Sequence, residues 1–201
     1  MRRFFSYGPV DCRKHFCVPR KELIERCMVQ LVGEDGEFGH YFTVWAPRQT
    51  GKTWLMRQVK SEIEARYGDR FTLGMMSMQG VVMEEDESIK GFLNKVPKLF
   101  RDTFSSINLD GPPNSWEDFQ GLFHRKIGVF KTPVILFIDE FDSLPSKVID
   151  QLVTLFRDIY LNRESYLLHG LALIGVRAVL GVDSERGSPF NIQRSMHVEN
   201  F

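Results

Sequence analysis

No apolar run in this 201-residue chain approaches the ~20 residues that a membrane-spanning helix needs. The N-terminus, Met1-Arg-Arg-Phe-Phe-Ser-Tyr-Gly-Pro9, carries two arginines but lacks the apolar segment of a secretory signal, so a cytoplasmic chain is expected. Cysteine is scarce: three residues, an odd number that fits reduced thiols in a cytosol. Cys12, Cys17 and Cys27 lie near His15, but their spacing matches no common zinc pattern and no zinc site is expected. An excess of either charge is also missing. Lys and Arg number 26 against 26 Asp and Glu, and the resulting net charge of +0 gives no bulk attraction to nucleic acid or anionic lipid; only a local basic patch could supply one. Internal repeats and low-complexity segments are absent.

What is present is a 43% hydrophobic composition, enough for a real core in a chain whose length suits one domain. The stretch that organises it is Tyr41-Phe-Thr-Val-Trp45 followed by Ala46-Pro-Arg-Gln-Thr-Gly51-Lys52-Thr53. The first part is aromatic and β-branched, as a buried strand should be. The second matches the phosphate-loop pattern G-x-x-x-x-G-K-[ST] except that Ala46 stands for the first glycine. Leu55, Val59, Ile63 and Tyr67 then recur every four residues, which predicts an amphipathic helix ending near Gly68. In such a loop successive backbone N–H groups and a helix N-terminus form a positive cradle for polyphosphate. Pro47, Arg48, Gln49, Thr50, Gly51, Lys52, Thr53 and Trp54 are the candidate nucleotide-binding residues. Gly51 lets the backbone approach the phosphates. Lys52 reaches the β- and γ-phosphates, and the Thr53 hydroxyl is a candidate Mg²⁺ ligand. Ala46 costs little if its backbone stays in an ordinary region.

The rest of the pattern alternates strands and helices, which favours an α/β fold with a parallel sheet. Phe16 to Ile24 reads as an extended stretch and then a helix, with Pro19 at its beginning. Residues 71–79 read as a strand and 89–104 as a helix that Pro97 should kink or split. Ser115-Trp-Glu-Asp118 resembles a capping box. A helix from about Pro145 to Arg163, a strand over 167–176 and a last strand over 196–201 complete the series. His40, His124 and His169 are expected to be structural or surface residues.

Thr132-Pro-Val-Ile-Leu-Phe-Ile138 is a continuous apolar run, as in a strand covered on both faces, and Asp139-Glu140-Phe-Asp142 follows it at once. This is the Walker B pattern: a buried strand delivers two acids to the sheet edge where ligands of open α/β sheets bind. Asp139 is the candidate second Mg²⁺ ligand, and Glu140 the candidate base for the attacking water.

Together with Ser188-Pro-Phe-Asn-Ile192, these two motifs resemble the AAA-like P-loop ATPases of prokaryotes, in the additional-strand, catalytic-glutamate division close to the AAA+ and STAND ATPases. The resemblance covers nearly the whole chain. It implies a three-layer αβα sandwich with a mainly parallel five-stranded sheet in the order 5-1-4-3-2, and a preference for ATP with Mg²⁺. It divides the chain into an N-terminal segment, residues 1–40, bordering the adenine, and an ATPase core, residues 41–201. Phe16-Cys-Val-Pro-Arg20-Lys-Glu-Leu is similar to the short STAND motif at that border, with Pro19 where glycine is usual. Arg177, after the strand that follows Walker B, falls where the family places a γ-phosphate sensor; Arg186 and Arg194 fall where an arginine finger or an oligomer contact would sit. Relatives usually continue into a small helical lid, and the chain reads as lacking one.

The expected function is therefore a Mg²⁺-dependent ATPase core that couples hydrolysis to a switch or to remodelling of a partner. A homo-oligomer or a protein partner would supply a lid or an arginine finger. The alternative is a nucleotide-dependent assembly module with little hydrolysis. Family analogy adds a link to a nucleic-acid-associated mobile or defence system, which the neutral charge does not help.

Overall fold

The computed structural model describes residues 20–34, 38–83, 89–175 and 195–198. In chain order these form α1 (Lys21–Val32), β1 (Tyr41–Trp45), α2 (Lys52–Tyr67), β2 (Thr72–Ser77), α3 (Ile89–Thr103), α4 (Trp116–Gly121), β3 (Val134–Asp139), α5 (Ser146–Leu161), β4 (Leu168–Gly175) and β5 (Ser195–His197). The five strands make one sheet in the order β2-β3-β4-β1-β5, which read from its other edge is 5-1-4-3-2. Every pairing is parallel.

Both faces of this sheet are covered, and the side-chain period of two shows it along single strands. From β3, Val134, Leu136 and Ile138 enter one apolar cluster with α3, α4 and α5, while Ile135 and Phe137 enter a second with α1 and α2. Leu171 and Leu173 of β4 face the first cluster, and Ala172 and Ile174 face the second. The result is three layers, helix, sheet and helix, built from strands too apolar to tolerate a solvent face. α2 buries Leu55, Val59 and Ile63, the stripe expected from its spacing, and Tyr67 is half-buried at its end.

The helix at 89–103 is not split. α3 runs unbroken through Pro97, although an interior proline removes one backbone hydrogen bond and costs about 3 kcal/mol. The stripe Phe92, Leu93, Val96, Leu99 and Phe100 lies buried along it, and burying each large apolar side chain returns about 1.5–3 kcal/mol, so packing outweighs the break.

Ser115 caps α4, its hydroxyl oxygen accepting from the Asp118 N–H at 3.1 Å. The return bond of a capping box is displaced by one residue: the Asp118 carboxylate accepts from the Asn114 N–H at 3.0 Å. Ser115→Ala should therefore cost about 1 kcal/mol, read as a lower urea midpoint with an unchanged slope.

The histidines have structural partners. A ring nitrogen of His169 lies 2.8 Å from the Val32 carbonyl oxygen, and burial holds its pKa below the usual value. His40 Nδ1 is 3.2 Å from the Tyr160 hydroxyl, and His124 Nδ1 accepts from the Lys126 N–H at 3.2 Å. Cys27 is buried with its Sγ 3.3 Å from Met196 Sδ, and burial pushes its thiol up to about 12, far from a metal-binding thiolate. Cys12, Cys17 and His15 lie outside the described residues.

Candidate functional site

Parallel strands place their carboxyl ends on one edge, and β1 and β3 there open into the two motifs singled out above. The loop after β1 begins at Ala46, whose side chain is fully buried in the α1–α2 cluster. Its φ is not positive, so alanine fits without strain where the pattern expects glycine. Gly51 closes the loop as the N-cap residue of α2 in the left-handed region, φ 79°, ψ 24°, and its carbonyl accepts the first helical bond from the Leu55 N–H. A side chain there would meet no neighbour but would carry backbone strain.

The Thr53 hydroxyl donates to Asp139 Oδ2 at 2.6 Å across 86 residues of sequence. Asp139 is the buried polar residue among the described residues, 7% exposed, and its other oxygen accepts from the Glu140 N–H at 3.0 Å. The Lys52 amine is folded back over its own loop, donating to the Ala46 and Pro47 carbonyls at 2.7 Å each. Burial lowers the Lys52 pKa, while Asp139, Asp142 and Glu140 pull it the other way. Thr50 Oγ1 also donates to the Pro47 carbonyl, at 3.0 Å. Trp54 is half-buried against the α1–α2 cluster below the loop.

Glu140 leaves β3 in the left-handed region, φ 55°, ψ 37°, and its carbonyl accepts from the Ser143 N–H at 2.9 Å to form the tight turn Phe141–Ser143. Burial is the main cause raising the Glu140 pKa; Asp139 and Asp142 add to it, and Arg48 and Lys52 oppose it. Apart from glycines, the described residues with positive φ are Glu140 and Gln49, φ 64°, and both belong to this site. Such conformations cost about 1–3 kcal/mol each and collect where geometry serves function.

Sequence reasoning gave no role to Asp142, which the turn folds back toward the end of β4. A Cβ placed on Gly175 would lie 3.0 Å from Asp142 Oδ1, so a larger residue there would make the carboxylate give way by a few tenths of an ångström. Gly175 pairs with Trp45, the residue preceding the loop, so Asp142 stands beside both motifs. The available signal was the third acid of Asp139-Glu-Phe-Asp142. Arg177, Arg186, Arg194 and residues 188–192 lie outside the described residues.

The donors fit Mg²⁺. One hydroxyl and one carboxylate converge with oxygen atoms only, and Mg²⁺ characteristically takes one or two protein oxygens, with waters and phosphate completing its shell. Among the described residues no group of three or more His, Cys, Asp or Glu side chains could hold a metal alone.

A parallel sheet in this order, with a phosphate-type loop tied to the acids of a buried strand, defines the P-loop ATPase class. Residues 40–179 match the family model described as AAA domain, and the chain belongs to that family. Its fold is similar to the ORC1 protein of Aeropyrum pernix in complex with DNA, at TM-score 0.53 and 15% identity, over 92% of this chain and 46% of that one. It is also similar to Drosophila ORC bound to poly(dA/dT) DNA and Cdc6, at TM-score 0.53 and 8% identity, over 90% and 28%. AMPPCP-bound DnaA from Aquifex aeolicus matches at TM-score 0.46 and 15% identity, over 92% and 48%. The chain thus spans less than half the length of each of these structures, and identities this low speak for fold alone. No curated protein matches the sequence. Among the described residues no helix is long and apolar enough to cross a membrane.

Proposed function

We propose that this chain is an ATPase core that binds ATP with Mg²⁺ on the 46–53 loop and hydrolyses it by in-line attack of water. The observation that carries the reading is the Thr53–Asp139 hydrogen bond, because it unites the loop and the acidic strand end that a nucleotide-bound Mg²⁺ would bridge. Mg²⁺, held by Thr53 and Asp139, would neutralise charge on the phosphate oxygens. Lys52 exchanges the Ala46 and Pro47 carbonyls for the β- and γ-phosphates. Glu140 orients the water and takes its proton as the water oxygen bonds to the γ-phosphorus; the electron pair of the breaking bond stays on the bridging oxygen of ADP, and inorganic phosphate leaves. Arg177 serves as the γ-phosphate sensor, and residues 1–40 border the adenine. Lys52, Glu140 and Arg177 are thus the catalytic residues of the proposal. The gain comes mainly from positioning and preorganised charge.

The test is Mg·ATP binding and steady-state hydrolysis on the purified chain beside Lys52→Ala. Losing a charge-assisted contact to two phosphates should weaken binding by about 10²-fold or more. Undiminished binding in the variant would sink the site assignment. A second reading, a nucleotide switch with little turnover, draws on the same lysine: ATP must release its amine from two loop carbonyls, so binding alone remodels the loop. Binding without Glu140-dependent turnover would favour it. Coupling to a partner, to a second copy or to nucleic acid belongs to this proposal too. The DNA named with the ORC structures makes a salt-sensitive rise in ATPase rate on adding DNA the relevant measurement.

A further inference from the structure

Glu140 leaves β3 in a backbone region that favours glycine, and such a conformation lasts only where its surroundings over-determine it. Those surroundings are the contacts of the turn Phe141–Ser143. The Ser143 N–H closes its main chain on the Glu140 carbonyl at 2.9 Å. Phe141, 1% exposed, seats the turn in the α3–α5 cluster. β3 lies between β2 and β4, and the turn reaches the end of each. On the β2 side the Ser143 hydroxyl donates to the Met78 carbonyl at 3.4 Å, and the Met78 N–H donates to the Asp139 carbonyl at 2.9 Å. On the β4 side stands Asp142. A Cβ placed on Gly175 would lie 3.0 Å from its Oδ1, 3.1 Å from its Cγ and 3.4 Å from its Cβ, so the whole side chain rests against the backbone at the strand's end. Held on both sides, the turn resists rocking about the end of β3.

We infer that Asp142 is a positioning residue for Glu140: seated on the Gly175 backbone, its side chain fixes the turn from the β4 side, and with it the direction in which the Glu140 carboxylate leaves the sheet. The inference rests on the ATPase reading above, which makes Glu140 the base, and adds what aims it. Asp142 acts through packing and takes no proton itself. A general base contributes only where it meets the water in line with the γ-phosphorus, and a misplacement of about 1 Å can cost about 10²-fold in rate. Nucleotide affinity draws on the Lys52, Thr53 and Asp139 side chains, none of which the turn carries. Loss of the Asp142 contact therefore belongs to the rate rather than to affinity.

The experiment uses the whole chain with Asp142→Ala, Asp142→Asn, Gly175→Ala and the double variant Asp142→Ala/Gly175→Ala. Single-turnover hydrolysis, ATP affinity and hydrogen exchange of the Ser143 amide are measured on each. Asp142→Ala should slow the single turnover by about 10-fold while ATP affinity moves by less than about 3-fold. Asp142→Asn, equal in shape, should recover most of that loss. Gly175→Ala pushes on the carboxylate and should slow the turnover by about 3- to 10-fold. In the double variant the added methyl group meets only the residue 142 Cβ, at an ordinary 3.4 Å, so its rate should match that of Asp142→Ala. A wild-type rate in Asp142→Ala, a loss carried by ATP affinity, an equal loss in Asp142→Asn, or losses that multiply in the double variant would overturn the inference. Should Gly175→Ala fail to fold, the two Asp142 variants decide by the same criteria. If the wild type shows no Glu140-dependent turnover, the ATPase reading itself fails. Asp142 is then judged by the Ser143 amide, whose exchange Asp142→Ala should speed by about 10-fold and Asp142→Asn far less. Equal exchange in wild type and Asp142→Ala would overturn its role.

Discussion

Glu140→Gln should bind Mg·ATP with near wild-type affinity and hydrolyse it more slowly by about 10²- to 10⁴-fold in a single turnover, the span over which a positioned general base contributes. Glutamine keeps the size of the side chain and can occupy the same left-handed backbone, and the bonds that form the turn come from the main chain: the residue 140 N–H to Asp139 and the Ser143 N–H to the residue 140 carbonyl. The substitution therefore leaves Asp139, Thr53 and Lys52 where they are. It also removes one of three crowded acids, Asp139, Glu140 and Asp142, which act on one another unfavourably, so stability should not fall. What goes is the carboxylate that takes the water proton. Rapid-quench hydrolysis with enzyme in excess over ATP reads the chemical step, and nucleotide titration reads the binding. An unchanged single-turnover rate would exclude Glu140 as base. A large loss of binding would instead assign it a part in holding the nucleotide.

The sequence carries the layered architecture because the relevant signals are local or strongly periodic. The aromatic and β-branched run at 41–45, the four-residue spacing through Leu55, Val59 and Ile63, and the unbroken apolar run before Asp139 each name an element without its neighbours. Strand order came from resemblance rather than from periodicity, since nothing in a strand's pattern says which strand lies beside it. The pairing of Thr53 with Asp139 was legible as motif chemistry, and the structure brings those two side chains together. Less legible was whatever tertiary packing decides. Pro97 reads as a kink or a split, yet α3 is not split, because its buried stripe outweighs the missing bond. The left-handed turn at Glu140 is imposed on a residue with no special preference for it. The approach of Asp142 to Gly175 joins residues from separate elements, and only the folded sheet shows that the glycine leaves room for the acid. The return of Lys52 to its own loop carbonyls is a property of the loop's curvature, which residue types alone do not define.

Phe100→Ala should be the most damaging of these substitutions to stability, about 3–5 kcal/mol. Phe100 is 1% exposed on α3, and four other rings surround it. Their centroids lie 5.7 Å away for Phe104, 6.3 Å for Phe119, 6.1 Å for Phe123 and 6.1 Å for Phe130, all tilted or edge-on. Phe104 directly follows α3, Phe119 belongs to α4, and Phe123 and Phe130 belong to the segment leading from α4 into β3, so a single ring joins three parts of the helical layer. Removing it forfeits the transfer free energy of a benzyl group and leaves a cavity whose walls cannot close. Their own rings are fixed by one another, as in the stacked pair Phe123 and Phe130 at 5.4 Å. At this chain length each kcal/mol moves the midpoint by about 2–4 °C, so thermal unfolding should begin at least ~6 °C earlier. The change lies on the α3–α5 side of the sheet, whereas the loop from Ala46 and helix α2 pack on the opposite face. Well below the midpoint, nucleotide affinity should therefore stay within about 3-fold of wild type, and saturating Mg·ATP should raise the variant's midpoint as it raises the wild type's. A variant as stable as wild type would mean that the surrounding rings collapse into the space. A stable variant that no longer binds nucleotide would show that the aromatic layer sets the position of β3 and its acids, and that the two faces of the sheet are not independent.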